Sequence, residues 1–159
     1  MSNFVIYLEL KPFVSQFFKN KYGDPIRFED RSVGNSRILS VLQPRKKDMP
    51  PETAAEGLTA LCIPYSKSKD PACFNYVPKR GKKFIVDFME SVFTNCLWNE
   101  MRMMCDEDTK LQSAAFAWCE KHGIDLDYAD TIRMRYYREK KKFLKRNIDL
   151  MSHKRNKKG

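Results

Sequence analysis

Short runs of β-branched and aromatic residues mark the first part of the chain, and they predict a small sheet. Residues 4–10 (FVIYLEL) and 58–65 (LTALCIPY) each predict a strand, and residues 26–28 predict a third, shorter one. Pro12 suits the first turn of a helix, which apolar residues at helical spacing extend to about Tyr22. This part of the chain therefore combines strands with short helices.

Further along the chain, apolar residues recur with the spacing of longer helices. Asn35 or Ser36 is expected to cap a short helix that ends before Pro44. Apolar residues at i, i+4 and i+7 then predict a central helix over residues 83–105, buried over a wide stripe. The apolar residues of this helix are Phe84, Ile85, Phe88, Met89, Val92, Phe93, Cys96, Leu97, Met101 and Met104.

Two more helices are predicted in the last third of the chain. Residues 106–108 (DED) offer N-terminal caps for the first of them, and Gly123 is suited to end it. Asp125 or Asp127 is expected to cap the second, which runs to about Arg146 or beyond.

These elements predict an α+β fold, with a small N-terminal sheet and short helices followed by a helical C-terminal half. The predicted organisation has three parts. An α+β core spans residues 1–107, a pair of basic helices spans residues 108–150, and a disordered basic tail spans residues 151–159.

The charge of the chain is distributed very unevenly. The formal net charge is +10, and residues 131–159 hold all of it, with 12 Lys/Arg against 2 Asp/Glu. Residues 1–130 contain 18 residues of each sign. A basic arm on a neutral domain favours a polyanionic partner, nucleic acid first of all. The alternative is a solvated tail that only keeps the protein soluble.

Residues 111–138 have the pattern of a DNA-binding helix-turn-helix, which needs close helix packing, a turn glycine and apolar anchors. Cys119 supplies the small residue at the predicted helix crossing, and Gly123 and Ile124 form the turn. Ala129 and Ile132 supply the anchors in the second helix. The spacing resembles that of the bacterial helix-turn-helix family, although an ordinary pair of packed helices would show the same pattern.

The last helix carries most of the predicted contact residues. Its apolar stripe is expected to face inward and comprises Ala129, Ile132, Tyr136, Leu144 and Ile148. Thr131, Arg135 and Arg138 are expected to reach base edges or phosphates, and the lysines to follow the phosphate backbone. The full predicted set on this helix is Thr131, Arg133, Arg135, Arg138, Lys140, Lys141, Lys142, Lys145 and Arg146.

Acidic residues at the start of this helix oppose that interpretation. Asp125, Asp127 and Asp130 would repel phosphate from a helix N-terminus, where anions normally bind. They could equally serve as caps that interact favourably with the helix dipole.

A second basic cluster, Lys79, Arg80, Lys82 and Lys83, surrounds Gly81. This segment resembles the core of a minor-groove AT-hook, an extended basic peptide. A loop that contacts phosphate and a solvated helix entry are the other two interpretations.

Little in the sequence points to catalysis, a metal or a membrane. The chain has no P-loop, GxGxxG or HExxH motif, and its only histidines are His122 and His153. Its cysteines lack CxxC spacing and indicate reduced thiols, with Cys96 and Cys119 expected in the core. No apolar run approaches the ~20 residues that span a bilayer. We therefore expect a non-enzymatic cytoplasmic protein without cofactor, metal or membrane contact.

The chain resembles small basic proteins of bacterial prophages and mobile elements. Among characterised families it is similar to the Mor-type transcription activators of transposable phages. Residues 22–28 (YGDPIRF) look like their glycine-turn-strand element, and residues 118–138 occupy the place of their helix-turn-helix. The resemblance implies a dimeric, sequence-specific binder of double-stranded DNA that regulates transcription or assists the element. A module that inhibits a host protein and an RNA-binding protein are the alternatives.

Overall fold

The computed structural model describes residues 4–105 and 110–156, and its architecture is α+β, as the sequence predicts. A two-stranded antiparallel sheet lies in the N-terminal half, and a long helix lies near the C-terminus. The elements in chain order are β1 (Val5–Glu9), α1 (Pro12–Tyr22), α2 (Val33–Val41), β2 (Leu58–Cys62), α3 (Lys79–Met104), α4 (Leu111–Lys121), a 3₁₀ turn (Leu126–Tyr128) and α5 (Ala129–Asn156).

The chain forms two compact units, residues 1–93 and residues 94–159. The division falls inside α3, whereas the sequence places a boundary after residue 107. A hydrophobic pattern cannot reveal such a division, because α3 is helical and partly buried on both sides of it.

The sheet of the first unit buries one face. β1 and β2 pair with Ile6 opposite Leu61 and Leu8 opposite Thr59, and all four side chains are buried. Thr59 meets Ser15 of α1 through a hydrogen bond of 2.7 Å between their hydroxyl oxygens. This bond satisfies two polar groups that burial would otherwise leave unpaired.

An aromatic cluster fills the space between α1 and α3 in this unit. The ring centroids of Phe13 and Phe17 lie 5.7 and 5.2 Å from that of Phe93. Pro12 occupies the first turn of α1, as predicted, because its missing N–H has no partner there in any case.

Two local predictions for this unit are wrong. The strand expected over residues 26–28 is reduced to a single bridge, in which Ile26 pairs with Leu61. Ser32, rather than Asn35 or Ser36, caps α2, since its hydroxyl accepts a hydrogen bond from the Asn35 backbone N–H. The Asn35 side chain instead donates to the carbonyl oxygens of Phe28 and Glu29, so it anchors the preceding loop to the helix.

α3 buries a narrow row rather than the wide stripe that its sequence predicts. The row repeats every four residues and is almost completely buried, whereas Phe84 is 39% exposed. Arg37 covers the Phe84 ring, with its guanidinium carbon 5.4 Å from the ring centroid. The residues of the row are Ile85, Met89, Phe93, Leu97 and Met101.

The caps predicted at residues 106–108 lie outside the described residues. Lys110 occupies the position before α4 and makes no side-chain capping bond. At the other end of the chain, α5 continues to Asn156, so residues 151–156 are helical where a disordered tail was expected. The sequence from Ala129 to Asn156 contains no Gly or Pro that would end the helix earlier. Residues 157–159 of the predicted tail lie outside the described residues.

Candidate nucleic-acid interface

The pairing of α4 with α5 uses the residues that the sequence singles out. Cys119 and Ile132 are completely buried, and Ile124 and Ala129 are 4% and 3% exposed. Gly123 adopts a φ of 66°, a left-handed conformation that glycine reaches without steric cost, and α4 ends just before it. The 3₁₀ turn at residues 126–128 then leads into α5. This packing is common to helix-turn-helix units and to other helical hairpins.

The other contact of α5 is made by aromatic rings. The Trp98 ring lies 5.5 Å from the Tyr136 ring and 5.2 Å from the Phe143 ring. Such pairs add about 0.5–1.5 kcal/mol beyond the area they bury. The predicted inward stripe is therefore wrong at Leu144, which is 49% exposed; the ring that meets Trp98 is that of Phe143, which is itself 41% exposed. The side chain of Ile148 lies outside the described part of the chain.

α5 presents its basic residues to solvent over most of its described length. Every side chain from Lys141 to Asn147 is exposed. Arg138, Lys141 and Lys145 fall on one face, because residues three, four and seven apart lie on the same side of a helix. Lys140, Lys142 and Arg146 are also exposed, and Arg133 and Arg135 are half-buried. Most of the basic residues predicted on this helix are therefore exposed, and Arg138, Lys141 and Lys145 share one face, whereas Arg133 and Lys140 lie on the opposite side.

Some of these charges already have partners. Arg133 pairs with Asp130 at 2.9 Å, and Lys142 pairs with Glu139 at 3.3 Å. The Lys141 ammonium lies 4.7 Å from the centroid of the Tyr137 ring. Surface ion pairs of this kind contribute only about 0–1 kcal/mol, so a polyanion can displace them at small cost.

The residues that lead into α5 and begin it include three exposed acids. Asp125 accepts a hydrogen bond from the Asp127 backbone N–H at 3.0 Å, and Asp130 lies one residue inside the helix. These carboxylates interact favourably with the positive end of the helix dipole and disfavour a phosphate there. The basic surface of α5 therefore begins beyond its first turn.

The second predicted cluster lies in the first unit, at the start of α3. Lys79, Arg80, Lys82 and Lys83 are all helical, so the extended conformation of an AT-hook is not adopted. Lys82 pairs with Glu52, while Lys79, Arg80 and Lys83 are exposed. The helix begins directly after Pro78, four residues earlier than the predicted start at residue 83.

The second unit also contains a polar cluster that the sequence patterns do not predict. Four donors converge on the Glu100 carboxylate: Cys96 Sγ at 3.4 Å, Trp118 Nε1 at 3.0 Å, Lys121 Nζ at 3.1 Å and His122 Nε2 at 2.7 Å. Cys96, which was expected in the core, is only half-buried because it faces this carboxylate.

The cluster keeps Glu100 ionised. Partial burial acts to raise the pKa of Glu100, but hydrogen bonds from His122 and Lys121 outweigh it and lower the pKa to about 2. Cys119 shows the opposite effect, since burial raises the pKa of its thiol to about 11 and keeps it neutral. The i, i+4 spacing of Cys96 and Glu100 was visible in the sequence, but nothing there indicated that His122 meets them.

Comparisons with known proteins identify no relative: no protein-family model, curated protein or solved structure matches this chain. Among the described residues, no helix is long and apolar enough to cross a membrane.

Proposed function

We propose that this protein is a non-enzymatic binder of double-stranded DNA and that α5 is its contact element. One observation carries the proposal. Arg138, Lys141 and Lys145 form an exposed row on one face of α5, in a stretch where all described side chains from Lys141 onward face solvent. An uncovered cationic helix is suited to a phosphate backbone, because Lys and Arg release the counterions condensed on DNA.

The dimensions of α5 suit a duplex. At 1.5 Å per residue, the row from Arg138 to Lys145 extends over about 10 Å. Duplex DNA carries one charge per ~1.7 Å of axis, so this row faces several phosphates at once. A helix is also about as wide as the major groove, which is ~12 Å across.

The acidic residues before and at the start of α5 determine how the helix can approach DNA. Asp125, Asp127 and Asp130 disfavour an approach with the N-terminus of α5 pointing at the backbone. The side of the helix from Arg135 onward is the favourable surface. Most of its contacts would then go to phosphate and give affinity, while Thr131 and Arg135 remain the candidates for reading bases.

The proposed biological role rests on the resemblance to the Mor-type activators. A Mor-type activator is a dimer that regulates transcription, so we propose a regulator or accessory factor of a phage or mobile element in the bacterial cytoplasm. Symmetric dimers are the commonest oligomers, and two-fold binders match palindromic sites. Lys79, Arg80 and Lys83 are proposed as auxiliary phosphate contacts of the first unit.

Fluorescence anisotropy with a random duplex, measured at several salt concentrations, tests the proposal. The full chain is compared with the triple variant Arg138→Ala, Lys141→Ala, Lys145→Ala. Because each phosphate contact contributes about −0.9 to the slope of log affinity against log salt, the variant should lose about three units of slope.

A triple variant in the first unit provides the matched control. Lys46, Lys47 and Lys67 are exposed, and their replacement by alanine removes the same total charge. Equal losses in both triple variants would attribute binding to net charge alone and contradict a role for α5. No binding by the full chain at low salt would refute DNA binding and favour an acidic protein partner. Tighter binding to single-stranded RNA would favour the RNA alternative.

A further inference from the structure

We propose that Cys96, Glu100 and His122 form a binding site for a transition-metal ion of the zinc type. The three residues offer a sulfur, a carboxylate oxygen and an imidazole nitrogen, and these atoms all lie within 4.8 Å of one another. This site belongs to the second unit and does not depend on the proposed DNA binding.

The donor set is the one that Zn²⁺ prefers. Zinc binds Cys sulfur at ~2.3 Å and His nitrogen or carboxylate oxygen at ~2.0–2.2 Å, usually as a tetrahedron. Donors on such a tetrahedron are about 3–4 Å apart. Cys96 Sγ lies 3.4 Å from Glu100 Oε1, and His122 Nε2 lies 2.7 Å from Glu100 Oε2. Small side-chain rotations would therefore place all three around one ion, with the fourth position open to water.

The fold positions the donors on two helices. Cys96 and Glu100 are one turn apart on α3 and therefore share a face, while His122 is the residue that ends α4. The Trp118 ring packs 4.5 Å from the His122 ring, and its Nε1 donates to Glu100 at 3.0 Å. Trp118 would therefore orient two of the ligands, as outer-shell groups do at metal sites.

In the metal-free cluster, the ammonium of Lys121 balances the negative charge of Glu100. Lys121 Nζ lies 3.1 Å from Glu100 Oε2, and its side chain is 60% exposed, so it can turn away into solvent. On binding, Cys96 Sγ and His122 Nε2 each lose their proton to solvent, and an imidazole that was neutral takes one proton back at Nδ1. The ion would replace the Lys121 ammonium as the positive charge beside Glu100.

Equilibrium dialysis of the full chain against Zn²⁺ gives the first test, after chelation and removal of the chelator. One zinc ion per chain is expected. With Co²⁺ as the probe, the thiolate ligand should produce a sulfur-to-cobalt charge-transfer band, and a tetrahedral site should produce intense visible bands. Binding without a charge-transfer band would overturn the assignment of Cys96, and no retained metal would overturn the site.

Single substitutions locate the ion. Cys96→Ser and His122→Gln should each weaken Zn²⁺ binding by at least about tenfold, since even outer-shell changes cost that much. Cys73→Ser removes an exposed thiol from the first unit and should leave binding unchanged. Circular dichroism of each metal-free variant checks that it is folded. Equal affinities in Cys96→Ser and Cys73→Ser would refute the site.

Lys121→Ala should act in the opposite direction. Without Lys121 no ammonium competes with the ion for the Glu100 carboxylate, and the loss of an ion pair worth about 1 kcal/mol at ~4 Å in water corresponds to about fivefold tighter binding. A purely structural role for the Glu100 cluster does not predict this gain. Lys46→Ala makes the same charge change in the first unit. Weaker binding by Lys121→Ala would contradict the assignment of the Glu100 carboxylate as a ligand.

Discussion

Asp130 engages Arg133 through two guanidinium nitrogens at the start of α5. Nε and Nη2 of Arg133 lie 3.1 and 2.9 Å from the same carboxylate oxygen, Oδ1. The Asp130 carboxylate offsets the positive charge of Arg133, which is the first arginine of α5. It therefore sets where the positive surface of α5 begins.

Removal of this carboxylate should strengthen DNA binding. Asp130→Asn frees Arg133 and removes one repulsive charge near the phosphates, so we expect about fivefold tighter binding at low salt. The gain should shrink as salt screens the charges. Anisotropy titration measures it, and Asp48→Asn, an exposed acid in the first unit, is the charge-matched control. Equal gains in both variants would attribute the effect to net charge rather than to α5.

Base reading and backbone contact should respond differently to substitution. Thr131→Ala and Arg135→Ala should change the preference between duplex sequences, because a bidentate arginine contact discriminates bases by about 1–3 kcal/mol. Lys141→Ala should weaken all sequences alike. Selection of preferred sites with each variant measures the difference. Uniform weakening by all three substitutions would leave only non-specific binding.

The Glu100 cluster should make stability depend on pH in acid. The folded pKa of Glu100 is about 2, below its ordinary value of 4.5, so its ionised form stabilises the folded state. This contribution is complete above pH 4.5 and disappears as pH falls towards 2. Glu100→Gln of the metal-free protein should therefore lower the unfolding free energy at neutral pH by about 1–3 kcal/mol.

Urea unfolding at several pH values measures this effect. The difference between wild type and Glu100→Gln should shrink as pH falls through that range. Glu90→Gln removes a carboxylate that pairs with Lys11 at 3.6 Å in the first unit, and it serves as the control. A Glu100→Gln difference that stays constant down to pH 2 would show that packing, rather than ionisation, is responsible.

Gly34 should not tolerate a methyl group. A Cβ atom there would lie 2.7 Å from Cδ2 and 2.8 Å from Cγ of Phe28. The Phe28 ring is only 6% exposed and lies edge-on to Tyr22 at 5.0 Å, so it cannot easily move. Overpacking of this kind costs about 1–3 kcal/mol, against a gain of about 1 kcal/mol from helix propensity. Gly34→Ala should therefore show net destabilisation in urea.

A double-mutant cycle isolates the clash in that prediction. In the Phe28→Ala background both clashing atoms, Cγ and Cδ2, are absent, so Gly34→Ala should become neutral or stabilising. A cost that is unchanged in the double variant would assign the effect to the backbone of α2 instead.

The strong periodic elements could be predicted from sequence. Pro12 marks the start of α1, and Gly123 marks the end of α4, because both residues have backbone requirements that act locally. The pattern around Cys119 and Ile132 likewise predicts the packed faces of α4 and α5. The exposure of Arg138 and Lys145 follows from their place outside that pattern.

The predictions that failed depend on contacts between residues that are distant in the sequence. The Ile26 backbone pairs with Leu61 for one residue only, and no local preference sets the length of such a pairing. Ser32 rather than Asn35 caps α2, because the Asn35 side chain is used by the preceding loop. The Glu100 cluster depends on the approach of two helices, which brings His122 beside residues that precede it by more than twenty positions.

The spacing of cations along α5 has a consequence for the effect of salt. Arg138, Lys142 and Arg146 follow one another at intervals of four, and like charges at that spacing cost a helix about 0.2–0.5 kcal/mol per pair. Dissolved ions weaken this self-repulsion, and a bound polyanion removes it. Added salt should therefore make the unbound helix more stable while it makes the complex with DNA less stable.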